Sequence, residues 1–454
     1  MKQYDHVIIG FGKGGKTLAG ALASKGDSVA LLEQSERMFG GTCINVACIP
    51  TKFLENSARL SNAVGGDFEA RSARYRSAVA KKRTLTAALR EKNYQKALAA
   101  GVEVLVGKAS FLDEHRIALL TADGTTQELY GERIYLNTGS VPFLPPIPGL
   151  SESRHAYTSE SMIELDDLPA ELLIIGAGYI GLEFASFYAN FGSRVTILQD
   201  GPDFIPREDR EVAQQVLDSF SSRGIRLLSS VSVLSISDRD DGVAVTIRTP
   251  TGEETLYANA ALVATGRRPN IQALHPERAG IRLTERGAVA VNEHLQTSVP
   301  HIWAMGDVAG GLQFTYISLD DSRIVKSQLL GDGSRTTGNR GNVPYSVFID
   351  PPLSRVGMTE EQAAAAGYSV KVFRLSAAAI PKAKVLGQPT GLLKAVVDAD
   401  TGRILGAHLF CAESHELIGL LKLMVDQQLP YSLLRDGIFS HPTMSEALND
   451  LFAG

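Results

Sequence analysis

Val7-Ile8-Ile9 is a compact apolar run and predicts a buried strand. It leads into Gly10-Phe11-Gly12-Lys13-Gly14-Gly15 and a helical stretch carrying Ala19. A second apolar run, Ser28-Val29-Ala30-Leu31-Leu32, predicts another strand and ends at Glu33, eighteen residues beyond Gly15. The arrangement then recurs. Leu172-Leu173-Ile174-Ile175 leads into Gly176-Ala177-Gly178-Tyr179-Ile180-Gly181, with Ala185 in the place of Ala19. Its second strand, Arg194-Val195-Thr196-Ile197-Leu198, ends at Gln199, again eighteen residues after the third glycine. Two later runs, Ile134-Tyr135-Leu136-Asn137-Thr138-Gly139 and Ala261-Leu262-Val263-Ala264-Thr265-Gly266, are strands closing in Thr-Gly. Trp303-Ala304-Met305-Gly306-Asp307 sets an acid behind a strand and a glycine.

Strand, G-x-G-x-x-G, helix and a distal acid form a dinucleotide-binding unit. The first glycine makes the tight turn, the second admits a pyrophosphate to the backbone, and the third lets helix and strand pack closely. Glu33 stands where a carboxylate accepts hydrogen bonds from a ribose diol. Two copies at matched spacing imply an α/β chain with two Rossmann-like domains and two dinucleotides. Gln199 keeps a ribose hydrogen bond but lacks the carboxylate that repels a 2′-phosphate. No arginine follows it to bind that phosphate, since Asp200 does, so NADH is favoured and NADPH stays open.

A length of 454 residues calls for two to four domains. With 45 basic and 50 acidic residues, the net charge is -5 and mixed along the chain, which points to neither nucleic acid nor an anionic membrane. Lys81, Lys82, Arg83 and Arg90 interleave with Ala and Leu and predict the solvated face of a long helix. No apolar run approaches the ~18 residues of a membrane span, and the first residues enter a strand without a signal core. With three cysteines in such a chain, a reducing, cytoplasmic setting is expected.

Two of those cysteines change the picture. The run Gly40-Gly41-Thr42-Cys43-Ile44-Asn45-Val46-Ala47-Cys48-Ile49-Pro50-Thr51-Lys52 follows the first fingerprint. In a reducing compartment, a close pair is more often catalytic or metal-binding than structural. No second Cys/His pair has ligand spacing, so no metal site is expected, and a buried disulfide or unpaired core cysteines remain as alternatives. On an ideal helix, residues five apart point about 140° away from each other. The pair can therefore close only if Cys43 lies in a distorted turn at a helix start, where the helix N-terminus also favours the thiolate. A dithiol needs a nearby two-electron carrier and a soluble donor, so one dinucleotide is read as flavin and the other as nicotinamide. Cys411 reads as a core thiol in an apolar strand, and His408 and His415 as surface or interface residues.

Both fingerprints, the cysteine run and His441-Pro442-Thr443-Met444-Ser445-Glu446 occur in order, and on them the chain resembles the class I pyridine nucleotide–disulfide oxidoreductases. These include lipoamide dehydrogenase, glutathione reductase and mercuric reductase. The resemblance spans the chain and implies an FAD domain (1–150), an NAD(P) domain (151–268), a return segment of the FAD domain (269–340) and an α+β dimerisation domain (341–454), with 331–342 as the linker. It implies FAD contacts at Gly10, Gly12, Gly15, Glu33, Thr42, Lys52, Ala109, Thr138, Gly139, Gly306 and Asp307. For NADH or NADPH it implies Gly176, Gly178, Tyr179, Gly181, Gln199 and Gly266. It makes Cys43 the exposed interchange thiol, Cys48 the thiolate beside flavin C4a, and Lys52–Glu183 a buried ion pair near flavin N5. Tyr179 becomes the side chain that nicotinamide displaces, and His441–Glu446 the acid–base pair serving the partner subunit's disulfide in a homodimer.

Within that family, Gly10-Phe11-Gly12-Lys13, the segment from Gly310 to Asp321, Val343-Pro344-Tyr345-Ser346-Val347-Phe348 and the segment from Asp350 to Glu360 resemble the bacterial reactive-chlorine-resistance flavoprotein reductases. That likeness implies NAD(P)H-dependent reduction of a small oxidant, hypothiocyanous acid or a related species, or of Cu(II), in stress defence. The alternatives are a dihydrolipoyl dehydrogenase subunit of a multienzyme complex or another disulfide reductase; a glutathione reductase is weakened by the missing arginine pair. Mercuric reductases lack the histidine and add C-terminal cysteines, whereas here His441 is present and 449–454 carries no cysteine. Ala47 departs from the glycine usual in C-x-N-x-G-C and bears on the disulfide's potential.

Overall fold

The first fingerprint folds as a strand, Lys2–Ile9, a glycine turn and a helix, Lys13–Ala23. The computed structural model describes all residues, Met1–Gly454, and they divide into two units. The first comprises Met1–Phe53, Val79–Phe143 and Gly266–Arg340. Its sheet runs in the order Glu103–Val106, Val29–Glu33, Lys2–Ile9, Thr126–Leu136, Arg116–Leu120, Lys108–Phe111, with Ile302–Ala304 also on Thr126–Leu136. Lys2–Ile9 pairs parallel with both neighbours, His6 facing Val29 and Arg133. Parallel strands are covered on both faces, so their covered stretches run apolar: Val7-Ile8-Ile9 and Val29-Ala30-Leu31-Leu32 are unbroken apolar runs, and every residue of Val29–Glu33 is buried.

Side chains alternate across the sheet and feed two cores. Val7, Ile9, Leu32, Ile134 and Leu136 join one, while Ile8, Leu31 and Tyr135 join the other with Leu18, Ala19 and Leu22 of the helix. Those three helix positions recur at the spacing of one helical face. Lys81, Lys82, Arg83 and Arg90 all lie on the helix Phe68–Ala99, where Lys81 is exposed as expected, but Lys82 is fully buried and the half-buried Arg90 donates from Nε to Asn45 Oδ1 at 3.0 Å. Periodicity marks a helix face without saying what packs on it.

The second unit holds Leu54–Ala78, Leu144–Thr265 and Gly341–Gly454. Its division from the first falls at Phe143/Leu144, ahead of residue 150, and Leu54–Ala78 goes with it. A five-stranded parallel sheet runs Arg226–Leu228, Arg194–Leu198, Glu171–Ile175, Ala260–Val263, Ala156–Thr158, beside an antiparallel meander from Ser232 to Ala258. The C-terminal part is a five-stranded antiparallel sheet under the helices Ser414–Asp426 and Ala447–Ala453. Cys411 follows the strand Ile404–Phe410 and is fully buried, and burial pushes its thiol up to about 12. His408 lies in that central strand between Arg355 and Lys394, buried rather than at a surface. Burial holds it neutral, its pKa lowered to about 4, with Nε2 donating to Met358 O at 3.0 Å. His415 is half-buried. In the 331–342 segment, Arg335 pairs with Asp320 and Arg340 with Asp321. No helix is long and apolar enough to cross a membrane.

Candidate functional site

The cysteine run is bent by two glycines. Gly40 and Gly41 sit at φ 94° and 83°, a region that favours glycine, and a Cβ on Gly41 would lie 2.6 Å from Gly12 Cα. The run therefore packs backbone to backbone on the first fingerprint. Cys43 falls in the short helix Thr42–Asn45, which Val46 ends at φ -138°, ψ 5°, and Cys48 opens the separate helix Cys48–Val64. This break is the distortion that closing the pair requires. Asn45 fastens the turn by donating to Phe39 O at 3.0 Å and Gly41 O at 2.9 Å.

The two sulfurs face each other. A hydrogen bond with Cys48, then burial, pushes the Cys43 thiol well up, while Thr315 and Lys16 pull it down. Thr315 Oγ1 lies 3.4 Å from Cys48 Sγ and is the first residue of the helix Thr315–Leu330. Hydroxyl and helix N-terminus both favour a thiolate. Neither Thr315 nor Lys16 had a role assigned from sequence: Thr315 lies inside the segment from Gly310 to Asp321 without a chemistry of its own there, and Lys16 stands one residue beyond the fingerprint.

Around the first fingerprint, Gly10, Gly12 and Gly15 leave no room for a side chain: a Cβ would meet Asn137 O at 2.3 Å, Asn137 Oδ1 at 2.5 Å and Gly10 O at 2.4 Å. Asn137 knots the unit, accepting from Gly15 N at 2.8 Å and donating to Met305 O at 2.7 Å and Ser318 Oγ at 3.1 Å. Glu33 is buried at its strand end, where burial raises it to about 7 against the Phe11 N–H at 3.1 Å. Thr138 Oγ1 is buried without a partner. Gly139, at φ 70°, would carry a Cβ 3.9 Å from Thr42 Oγ1, so these two residues adjoin. Asp307 Oδ2 accepts from Ser140 Oγ at 2.6 Å, and Gly306 N donates to Asp321 Oδ2 at 2.7 Å. Ala109 is buried in the core cluster containing Ile9 and Leu32. Lys52 Nζ reaches Thr51 Oγ1 at 3.4 Å. The orphaned Thr138 hydroxyl and the buried acid fit a nucleotide that brings its own hydrogen-bonding groups.

The second fingerprint differs at its centre. A Cβ on Gly176 or Gly181 would strike Ala264 O at 2.6 Å or Gly176 O at 2.1 Å, but one on Gly178 would meet nothing within 4 Å. Gly178 caps the helix Tyr179–Phe191, so the open space lies at a helix N-terminus, as a pyrophosphate requires. Gln199 Nε2 donates to Gly201 O at 2.8 Å and Asp203 O at 2.9 Å, leaving its carbonyl as the group for a ligand. The Tyr179 and Tyr345 hydroxyls both donate to Glu208 Oε1 at 2.6 Å, and burial followed by the Glu208 charge raises both phenols. Glu183 Oε1 accepts from Phe348 N at 3.0 Å. Gly266, at φ 120°, falls in the first unit, where its carbonyl accepts from Phe143 N at 2.9 Å.

At the C-terminal end, His441 Nδ1 lies 2.8 and 3.0 Å from the two Glu446 oxygens. Thr443 Oγ1 accepts from Glu446 N at 3.2 Å and bonds Ser440 O at 2.8 Å, which shapes the loop. The His441–Pro442 peptide is cis. A carboxylate on Nδ1 fixes the ring and leaves Nε2 for proton transfer.

Residues 4–322 match the model of the pyridine nucleotide-disulphide oxidoreductases, and 343–452 match that family's dimerisation domain. The chain belongs to the pyridine nucleotide-disulphide oxidoreductases. It is 48% identical over 454 residues to the probable pyridine nucleotide-disulfide oxidoreductase RclA of Escherichia coli, covering 100% of this chain and 99% of the relative. A solved Cu(II) complex of that HOCl-induced flavoprotein disulfide reductase superposes with a TM-score of 0.94, at 48% identity and the same coverage. The dihydrolipoyl dehydrogenase of Mycobacterium tuberculosis is 33% identical over 466 aligned positions, covering 100% of this chain and 98% of the relative. Membership of this oxidoreductase family implies FAD and a pyridine nucleotide, and the α/β fold read from the fingerprints is the family's own.

Proposed function

We propose that this oxidoreductase takes electron pairs from NADH and delivers them through Cys43 and Cys48 to a small oxidant in defence against reactive chlorine species. The carrying observation is the pair of facing sulfurs set on the first fingerprint and against Thr315. Likeness to an HOCl-induced reductase supports the class of acceptor. FAD and the nicotinamide supply two-electron transfer when bound. Gly10, Gly12, Gly15, Glu33, Thr138 and Asp307 would hold the first, and Gly176, Gly178, Gly181 and Gln199 the second. A Gln199 that offers only its carbonyl accepts from a ribose hydroxyl and offers nothing to a 2′-phosphate, which favours NADH.

The chemistry of the chain's own residues balances simply. The Cys43 thiolate attacks the electrophilic atom of the oxidant; with hypothiocyanous acid, sulfur bonds to sulfur and hydroxide leaves, taking a proton to become water. Cys48 then attacks Cys43, thiocyanate departs, and the disulfide closes with its two electrons gone to the oxidant. His441, oriented by Glu446, carries the proton for the leaving group in a homodimer. The test is NADH and NADPH oxidation against hypothiocyanous acid, Cu(II), lipoamide, oxidised glutathione and Hg(II), with Cys43→Ser alongside. Fast turnover of lipoamide and none of the oxidants would establish the dihydrolipoyl dehydrogenase reading instead. Full activity in Cys43→Ser would end the dithiol mechanism.

A further inference from the structure

Trp303, Tyr135, His6 and Asp27 of the first unit form a continuous chain that the dithiol chemistry does not use. Trp303 and Tyr135 are register partners on the parallel strands Ile302–Ala304 and Thr126–Leu136, their rings stacked at 5.3 Å between centroids and 20° between planes. The Tyr135 hydroxyl lies 3.0 Å from His6 Nδ1, and His6 Nε2 lies 3.1 Å from Asp27 Oδ2. Trp303, Tyr135 and His6 are buried, while the Asp27 side chain is 38% exposed, so the chain leads from core to surface. At the inner end, the two strands lead into Thr138 and Asp307, which are read as holding the first nucleotide.

The proton positions follow from the partners. The Asp27 carboxylate only accepts, so His6 donates from Nε2, and its Nδ1 accepts from the Tyr135 hydroxyl. Burial lowers His6 below its ordinary value, against the pull of Asp27, and raises the Tyr135 phenol. The imidazole is therefore neutral and the phenol protonated. Trp303 differs, because its Nε1–H is buried with no hydrogen-bond partner. A buried donor left unpaired is the exception in a native core.

We propose that this chain is a radical sink, which draws an oxidising equivalent away from the cradle-bearing strands and holds it on Tyr135 with the proton on His6. A one-electron oxidant, such as a chlorine-centred radical, takes one electron from Trp303 and is reduced to an anion. The indole radical cation has no acceptor for its proton, so it keeps the proton and regains an electron from Tyr135. As that electron leaves, the phenol proton crosses to His6 Nδ1. The products are an intact Trp303, a neutral tyrosyl radical and an imidazolium paired with the Asp27 carboxylate. One electron from a small reductant such as ascorbate, with the proton returning from His6, restores the phenol. The path is independent of which oxidant the cysteines reduce.

The experiment follows radicals by transient absorption in the oxidised holoenzyme after a laser pulse photoionises Trp303, the chain's single tryptophan. In the wild type, the tryptophan radical should give way to a neutral tyrosyl radical, and the conversion should slow in D2O because a proton moves with the electron. Tyr135→Phe should abolish the tyrosyl signal and leave the tryptophan radical long-lived. His6→Gln keeps an acceptor for the phenol but removes the base, and should have the same effect. Conversion at the wild-type rate in folded Tyr135→Phe or folded His6→Gln would overturn the proposal. If neither variant folds, a wild-type tryptophan radical that decays without a tyrosyl product, or converts equally fast in D2O, would do so.

Discussion

Gly178→Ala separates binding from folding at the second fingerprint. The residue sits at φ -74°, ψ 173°, a conformation alanine adopts without strain, and the added methyl meets nothing within 4 Å. Neither sterics nor backbone therefore penalises the folded state, and the melting temperature should stay within about 2 °C of wild type, as for a surface substitution. The methyl does fill the space at the helix N-terminus where a pyrophosphate approaches the backbone. Pushing a phosphate outward forfeits one or two charge-assisted hydrogen bonds, each worth about 1.5–3 kcal/mol, or about 3 kcal/mol together. That is roughly a hundredfold rise in Kd. The assay is calorimetric titration of the oxidised holoenzyme with NAD, paired with thermal melting. Gly181→Ala is the contrast: its Cβ would lie 2.1 Å from Gly176 O, so it should damage folding itself. A Gly178→Ala protein that melts normally and binds within threefold of wild type would refute the cradle.

Lys394 is buried between Asp209 at 2.8 Å, Glu360 at 2.9 Å and Glu211 at 3.2 Å, so Lys394→Met should cost about 3–5 kcal/mol by stranding those carboxylates, read by chemical denaturation. Burial raises Asp209 and Glu211, but bonding to Lys394, and to Arg374 for Glu211, outweighs it and leaves both below their ordinary values. Groups lowered on folding stabilise above the unfolded carboxylate range and lose that contribution as pH falls, so the wild-type advantage should shrink below about pH 4 in pH-dependent melting. Glu208→Ala should cost about 2–3 kcal/mol by removing the shared acceptor of the Tyr179 and Tyr345 phenols, and should change KM for NADH more than the rate of acceptor reduction. If sites are shared across a homodimer, mixing and refolding inactive Cys43→Ser and His441→Gln chains should restore about one quarter of wild-type activity, since half the dimers regain one complete site. No recovery would place both groups in one chain.

The nucleotide-binding units were legible in the sequence because their causes are local. Gly10, Gly12 and Gly15 are demanded by backbone closeness within one turn, and the apolar runs by burial on both sheet faces. The break at Val46 also follows from residues five apart having to meet. What lay beyond reach was the assignment of neighbours. Lys82 and His408 read as exposed because a charge pattern or a spacing cannot say which element will cover it; a helix face and a central strand bury them. Cys48 meets Thr315 across 267 positions, and Glu208 meets Tyr345 across 137. Such contacts exist only after distant segments have been folded into one unit, which also decides that the Lys16 ammonium finds the neutral acceptors Gly40 O and Asn93 Oδ1. The sequence by itself determined which chemistry the chain carries. The tertiary structure alone decided which charges and hydroxyls surround it, because electrostatic environment depends on distance in space and not on separation along the chain.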